Sequence, residues 1–309
     1  RKSSENVLNE LILKFSNLIG GSADLTGSNN TLAKGQKAIS SKDFSGSYIY
    51  YGIREHGMAA IMKGIALHSA LIPYGGTFLV FTDYCRPSIR LSALMRLRVI
   101  YIMTHDSIGL GEDGPTHQPV EHLSALRAIP NLEVWRPADS VETLEVWQTA
   151  LLSKDTPSVI ALSRQNLKPV RKKYVKDNLS SLGAYILIDK DTIDICLYSS
   201  GSEIEIAISA SEKLESEGIK ARVISVPCLD RFYRQNTKYK NKIITSSPKI
   251  VIEAGVRQSW DYILNENDIF IGMSSFGASA PANDLYKHFS ITEEEVITSA
   301  KLILNRRNT

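Results

Sequence analysis

Residues 99–122 read VIYIMTHDSIGLGEDGPTHQPVEH. The first five are apolar, β-branched or aromatic for the most part, which is the composition of a buried strand. Residues 105–122 are different. They hold seven groups able to exchange protons or ligate a metal, namely His105, Asp106, Glu112, Asp113, His117, Glu121 and His122. Three glycines and two prolines are interleaved with them, so the segment is a shaped loop rather than a solvated tether. A polar loop leaving the carboxyl end of a buried strand is where open α/β sheets place their ligands. Three of the six histidines of the chain lie in it.

Working outward, the chain alternates helical and strand patterns. Helical spacing runs to about residue 18, a strand-like turn covers 19–25, and an apolar helix runs from Glu55 to about Ser69. Strands at 132–135 and 158–162 flank a helix at 141–152. A basic stretch with Lys168, Arg171, Lys172, Lys173 and Lys176 interrupts the alternation, which then resumes. Strands are expected at 193–198, 221–226, 250–253 and 269–272, and helices at 203–217, 281–289 and 292–304. Strands separated by helices imply parallel sheets with right-handed crossovers. The expectation is an α/β fold of two tandem domains, each a mainly parallel sheet flanked by helices: residues 1–170, a linker at 171–182, and residues 183–309.

Bulk composition excludes several function classes. With 309 residues, 43% hydrophobic and 22% charged, the chain has the make-up of an ordinary globular protein of about two domains. A net charge of +3 is too small to argue for nucleic acid or a membrane surface. Cys85, Cys196 and Cys228 are far apart and form no CxxC pair, which points to a reducing, cytoplasmic setting rather than to disulfides or zinc. No stretch approaches the roughly 18 uninterrupted apolar residues of a membrane helix. The chain starts without Met inside an amphipathic pattern, so it reads as the remainder of something longer.

Glu55 falls in the first turn of the apolar helix, where an acidic residue by itself needs no explanation beyond the helix dipole. About twenty residues on, Phe78, Phe81 and Tyr84 recur at three-residue spacing, a stripe that is more often core than a pocket. The motifs around them are more specific. Gly20-Gly21-Ser22-Ala23-Asp24-Leu25-Thr26, Gly52-Ile53-Arg54-Glu55-His56-Gly57-Met58, Tyr74-Gly75-Gly76-Thr77-Phe78, the stretch 104–119, Trp135-Arg136-Pro137-Ala138-Asp139 and Leu162-Ser163-Arg164-Gln165-Asn166 resemble transketolases in order and spacing. Residues 272–281 continue the likeness, which covers the pyrimidine-binding and C-terminal domains of that family.

The resemblance implies a thiamine-diphosphate enzyme that transfers a two-carbon ketol unit from a ketose phosphate to an aldose phosphate, as in the pentose phosphate pathway. By position, Glu55 would hydrogen-bond the pyrimidine of the cofactor and help remove the thiazolium proton. Phe78, Phe81 and Tyr84 would enclose that pyrimidine, and Asp24 would lie near the cofactor and a partner subunit. His117 would move protons at the sugar hydroxyls, and Asp113 would bind the hydroxyl beside the carbonyl carbon. Arg1, Ser28, His105 and Arg164 would hold the sugar phosphate, a task suited to the planar arginine fork. The C-terminal domain would be structural and would help form a homodimer.

The family binds the diphosphate and its divalent metal, Mg2+ or Ca2+, through Gly-Asp-Gly on an N-terminal domain. Gly-Asp-Gly does not occur in this sequence, so no metal ligand is assigned in it and a missing N-terminal domain or subunit is the expected partner. Related thiamine enzymes such as deoxyxylulose-phosphate synthase share the fold, but the 104–119 loop resembles transketolase. Two readings from other classes compete: a metal hydrolase using His105, Asp113, His117 and His122, and a dimerisation module without activity of its own.

Overall fold

The computed structural model describes residues 1–68 and 70–307, the side chain of Arg307 excepted. Two sheets are present, as the alternation predicts. The first has β1 (Leu18–Ser22), β2 (Tyr48–Tyr50), β3 (Ile72–Phe78), β4 (Ile100–Thr104), β5 (Glu133–Trp135) and β6 (Ser158–Leu162), in the order β2-β1-β3-β4-β6-β5. All its pairings are parallel. β3, β4 and β6 are buried at every position, so they read as continuous apolar or small-residue runs with no polar alternation.

Helices α1 (Lys2–Lys14), α2 (Thr26–Asn29), α3 (Glu55–His68), α4 (Thr82–Leu94), α5 (His122–Arg127) and α6 (Ser140–Leu152) surround this sheet. α1 stops at Lys14, and Leu18 already belongs to β1, so the helical spacing read to residue 18 overruns into a strand. Ser69, at the expected end of α3, lies outside the described residues. α3 buries Met58, Ala59 and Met62 against β3, where a Cβ on Gly75 would meet the Met62 sulfur at 2.5 Å. Glycine there lets helix and sheet approach closely.

α4 was not expected from the sequence. Its Asp83, Arg86, Pro87 and Arg90 blur an apolar face made of Cys85, Ile89 and Ala93. The 78/81/84 stripe therefore spans three elements rather than one helix: Phe78 ends β3, Phe81 lies in a single 3-10 turn at 79–81, and Tyr84 is in α4.

The second sheet contains β7 (Tyr185–Ile188), β8 (Ile195–Ser199), β9 (Ala221–Ser225), β10 (Lys249–Ile252) and β11 (Ile269–Ile271), in the order β11-β10-β8-β9-β7. Only β7, which the sequence reading missed, runs antiparallel. Helices α7 (Ile204–Ser216), α8 (Leu229–Tyr233), α9 (Thr237–Ile243), α10 (Ala282–His288) and α11 (Glu293–Arg307) complete this half. The basic stretch between the halves is docked rather than loose. Asp139 accepts from the backbone N–H of Val170 and Arg171, and the Arg171 guanidinium pairs with Glu145 of α6 at 2.5 Å.

Candidate functional site

The strands β2, β1, β3, β4 and β6 are consecutive neighbours, and each carboxyl end leads into candidate residues. Asp24 and Ser28 follow β1, Glu55 follows β2, Phe78 closes β3, His105 follows β4, and Arg164 follows β6. Phe78, Thr104 and Leu162 are in register across β3, β4 and β6, so the chain leaves the sheet along one line. Parallel strands make this convergence, because all their carboxyl ends lie on the same edge.

His105 lies at the centre. Only 3% exposed, it stacks on Phe78 with centroids 3.6 Å apart. Its Nδ1 is 2.8 Å from the Thr104 hydroxyl, which donates its own proton to Asn29 Oδ1 at 2.7 Å. Asn29 then donates to Ser22, and Ser22 to the Gly76 carbonyl. With its proton spent on Asn29, Thr104 can only accept from His105, so Nδ1 carries the ring proton and Nε2 presents a lone pair. Burial, with the Arg1 and Arg164 guanidiniums beside it, pushes the His105 pKa down to about 3. The ring is thus neutral and cations gather around it. An anion entering there would cancel that repulsion.

The other expected phosphate ligands are close. The Arg1 guanidinium donates to the Ser28 carbonyl at 2.5 Å, and burial and Arg164 both lower the Arg1 pKa. Arg164 is exposed, and with Arg1 it lines an open cleft of about 480 Å³. Clefts of about 600 and 810 Å³ lie along the basic connecting segment and contain none of the candidate residues.

Phe81 stacks on Phe78 at 5.7 Å with the rings 5° from parallel, and Tyr84 tilts against Phe81. His117 meets both phenyl rings edge-on at 6.4 and 5.6 Å. Tyr84 is 65% exposed, so the aromatic shelf has an open face. Glu55 is half-buried at the start of α3, and after burial its carboxylate is the main cause that pushes the Cys85 thiol up to about 12. Asp113 and Asp24 are exposed. The four residues of the hydrolase reading do not gather: among the described residues, the one group with metal-ligand spacing joins His122 to Asp83 and Glu121 instead.

Two features escaped the sequence reading. Asp24 and His105 both adopt left-handed backbone, at φ of 61° and 60°, which non-glycine residues rarely hold without surrounding support. The signal for the second feature was the Trp135-Arg136-Pro137 motif, read only as part of a resemblance. Arg136 is fully buried and reaches Asp106 at 2.9 Å, Glu203 and the Ser200 carbonyl, which ties the residue after His105 to the second sheet. Arg127 grips Glu253 through two 2.8 Å bonds beside it. Burial alone would raise Glu253, but the Arg127 and Arg136 charges hold it down at about 2. The loop leans on the second half elsewhere too, since Ile108 and Val120 pack in its core and Gln118 donates to the Ala278 carbonyl at 2.9 Å.

The sequence matches the transketolase pyrimidine-binding domain over residues 1–169 and the transketolase-like C-terminal domain over residues 183–292. A transketolase of Cereibacter sphaeroides is 55% identical over 97% of this chain and 46% of its own length. One from Sinorhizobium medicae is 57% identical over 93% of this chain and 42% of its own. The chain thus spans about half the length of these curated relatives. The solved transketolase of Leishmania mexicana superposes with a TM-score of 0.94 at 44% identity, covering 99% of this chain and 45% of that one. A Pichia stipitis transketolase solved with sedoheptulose 7-phosphate gives 0.95 at 42%, covering 99% of this chain and 46% of that one. Matching the family's two domain models over most of its residues and its relatives over nearly its full length, the chain belongs to the transketolase family.

Proposed function

We propose that this chain supplies the pyrimidine-binding side of a thiamine-diphosphate site and the phosphate subsite of a sugar-phosphate pocket, for ketol transfer between a ketose phosphate and an aldose phosphate. The observation that carries this is the meeting of neutral His105, Arg1, Ser28 and Arg164 beside the Phe78–Phe81 shelf at one sheet edge. That a related transketolase was solved with a sugar phosphate supports it.

The aromatic shelf suits the cofactor's pyrimidine, because two stacked phenyl rings and an exposed Tyr84 present a flat apolar surface. The cofactor would supply the carbon nucleophile for cleaving the ketose. Glu55 would hold a proton at a ring nitrogen of the pyrimidine, and Asp24 would lie at its edge near a partner subunit. His117, held edge-on against Phe78 and Phe81, would move a proton at a sugar hydroxyl. Asp113 would accept a hydrogen bond from the hydroxyl beside the carbonyl. Mg2+ or Ca2+ and the diphosphate would be held by the part of the relatives that this chain does not span. Ile53, Ile61, Leu67, Leu91 and Leu94, exposed around α3 and α4, fit a contact with that part or with a second copy in a homodimer. We place the division between the two domains at 171–182.

Titrating the chain with a ketose phosphate and with the same unphosphorylated ketose tests the phosphate subsite. Arg164→Ala is expected to weaken binding of the phosphorylated sugar by about 10- to 100-fold, as for loss of a charge-assisted bond of about 1.5–3 kcal/mol. The unphosphorylated sugar should be unaffected. Equal losses for both sugars would sink the assignment.

A further inference from the structure

The loop ends in a cluster to which the proposed function assigns no role. His122 opens α5 and Asp83 lies in the first turn of α4, one residue before Tyr84 of the aromatic shelf. The His122 side chain is 5% exposed, yet neither ring nitrogen has a hydrogen-bond partner. Its Nε2 is nevertheless 3.1 Å from Asp83 Oδ2, and its Nδ1 is 3.7 Å from Glu121 Oε2. A buried imidazole that close to a carboxylate normally donates to it.

Here neither contact is a hydrogen bond, so both nitrogens of a buried ring are left without the partner that burial calls for. Tetrahedral ligands about 2.0–2.2 Å from zinc are about 3.3–3.6 Å apart. The Nε2–Oδ2 separation is close to that, and one ligand atom from each of the three residues lies within 4.8 Å of the others. One ion takes one ring nitrogen, so with Nε2 facing Asp83 the Glu121 carboxylate, which now lies nearest Nδ1, has to swing toward Nε2. Asp83 and Glu121 are 64% and 54% exposed, which leaves both side chains room to turn and a fourth position to water. Arg86, one turn along α4, is the nearest competing cation on that helix, but its guanidinium is turned to the Ala125 carbonyl at 2.8 Å.

We propose that Asp83, Glu121 and His122 bind a divalent transition-metal ion of the zinc class. An imidazole with two carboxylates favours such ions over magnesium or calcium, which prefer all-oxygen shells. The ion would cross-link α4 to α5, the two segments that bracket the aromatic shelf and the end of the 105–122 loop.

Calorimetric titration of the chelator-treated chain with zinc chloride tests this independently of any sugar or cofactor. One zinc per chain is expected, with millimolar magnesium failing to compete. Asp83→Asn, at an exposed position where folding is not at stake, and His122→Asn should each weaken zinc by more than about tenfold, while His288→Asn, at an exposed histidine elsewhere, should not. Unchanged affinity in both Asp83→Asn and His122→Asn, or displacement by magnesium at similar concentration, would overturn the proposal.

Discussion

Replacing Arg136 by alanine is expected to destabilise the chain by about 3–5 kcal/mol, the usual cost of leaving buried charges without their partner. Arg136 is 0% exposed and is the common counter-charge of Asp106, Glu203 and Glu253, all themselves buried. Already in the intact protein, burial and the nearby Glu203 outweigh Arg136 and hold the Asp106 carboxyl above its ordinary value. Three acids face two arginines there, so removing one cation leaves no nearby substitute. Water cannot solvate the remainder without opening the contact between the two sheets. The exposed pair Lys168–Glu205 serves as a comparison, and Lys168→Ala should leave stability nearly unchanged, because water screens and replaces that contact. Urea unfolding of the two variants decides the matter. Equal, small losses would mean that the network contributes little, and that Asp106, next to His105, is held by the backbone alone.

Glu142 should make stability fall as pH rises. It is buried on α6, where its carboxylate accepts from the Ala138 N–H, the Ser225 hydroxyl and the Tyr185 hydroxyl. Burial raises its pKa from 4.5 to about 7, and these hydrogen bonds only partly oppose the rise. Asp139 at the same helix start, Tyr185 of β7 and Arg171 of the connecting segment are the other ionisable groups facing it. The folded carboxyl therefore keeps its proton at pH values where the unfolded one has lost it. Its stabilisation is complete below pH 4.5 and disappears as pH rises to about 7, a change of about 3 kcal/mol. Other groups titrate in the same window, so the informative quantity is the difference between the native chain and Glu142→Gln, measured by urea unfolding from pH 4.5 to 7.5. The stability of the native chain relative to Glu142→Gln should fall by about 3 kcal/mol across the window. A flat difference would show that Glu142 is already ionised in the folded protein.

Much of the architecture was readable without coordinates. Apolar runs at 99–103 and 158–162 and helical spacing at 141–152 are local patterns, and the elements formed there within a residue of expectation. Where a local pattern was diluted, the reading failed. Pro87 and three charged residues masked α4, and a three-residue ring spacing that mimics a helix turned out to cross β3, a 3-10 turn and α4.

The types of group in the site were likewise written in the sequence, because histidines and carboxylates among glycines after a buried strand have few uses other than chemistry. Which of them meet was decided only by the tertiary structure. His105 faces Phe78 because a left-handed backbone, held by Thr104 and Asn29, aims it there. His122 leaves the other loop histidines for Asp83 on α4. The ion pairs that brace the loop join residues 67 and 126 positions apart, Arg136 to Glu203 and Arg127 to Glu253. Periodicity and propensity report only on neighbours within a few turns of chain. A buried charge is stable only where the fold brings its partner, so its environment is a property of the packed sheets and cannot be read from the residue or its flanks.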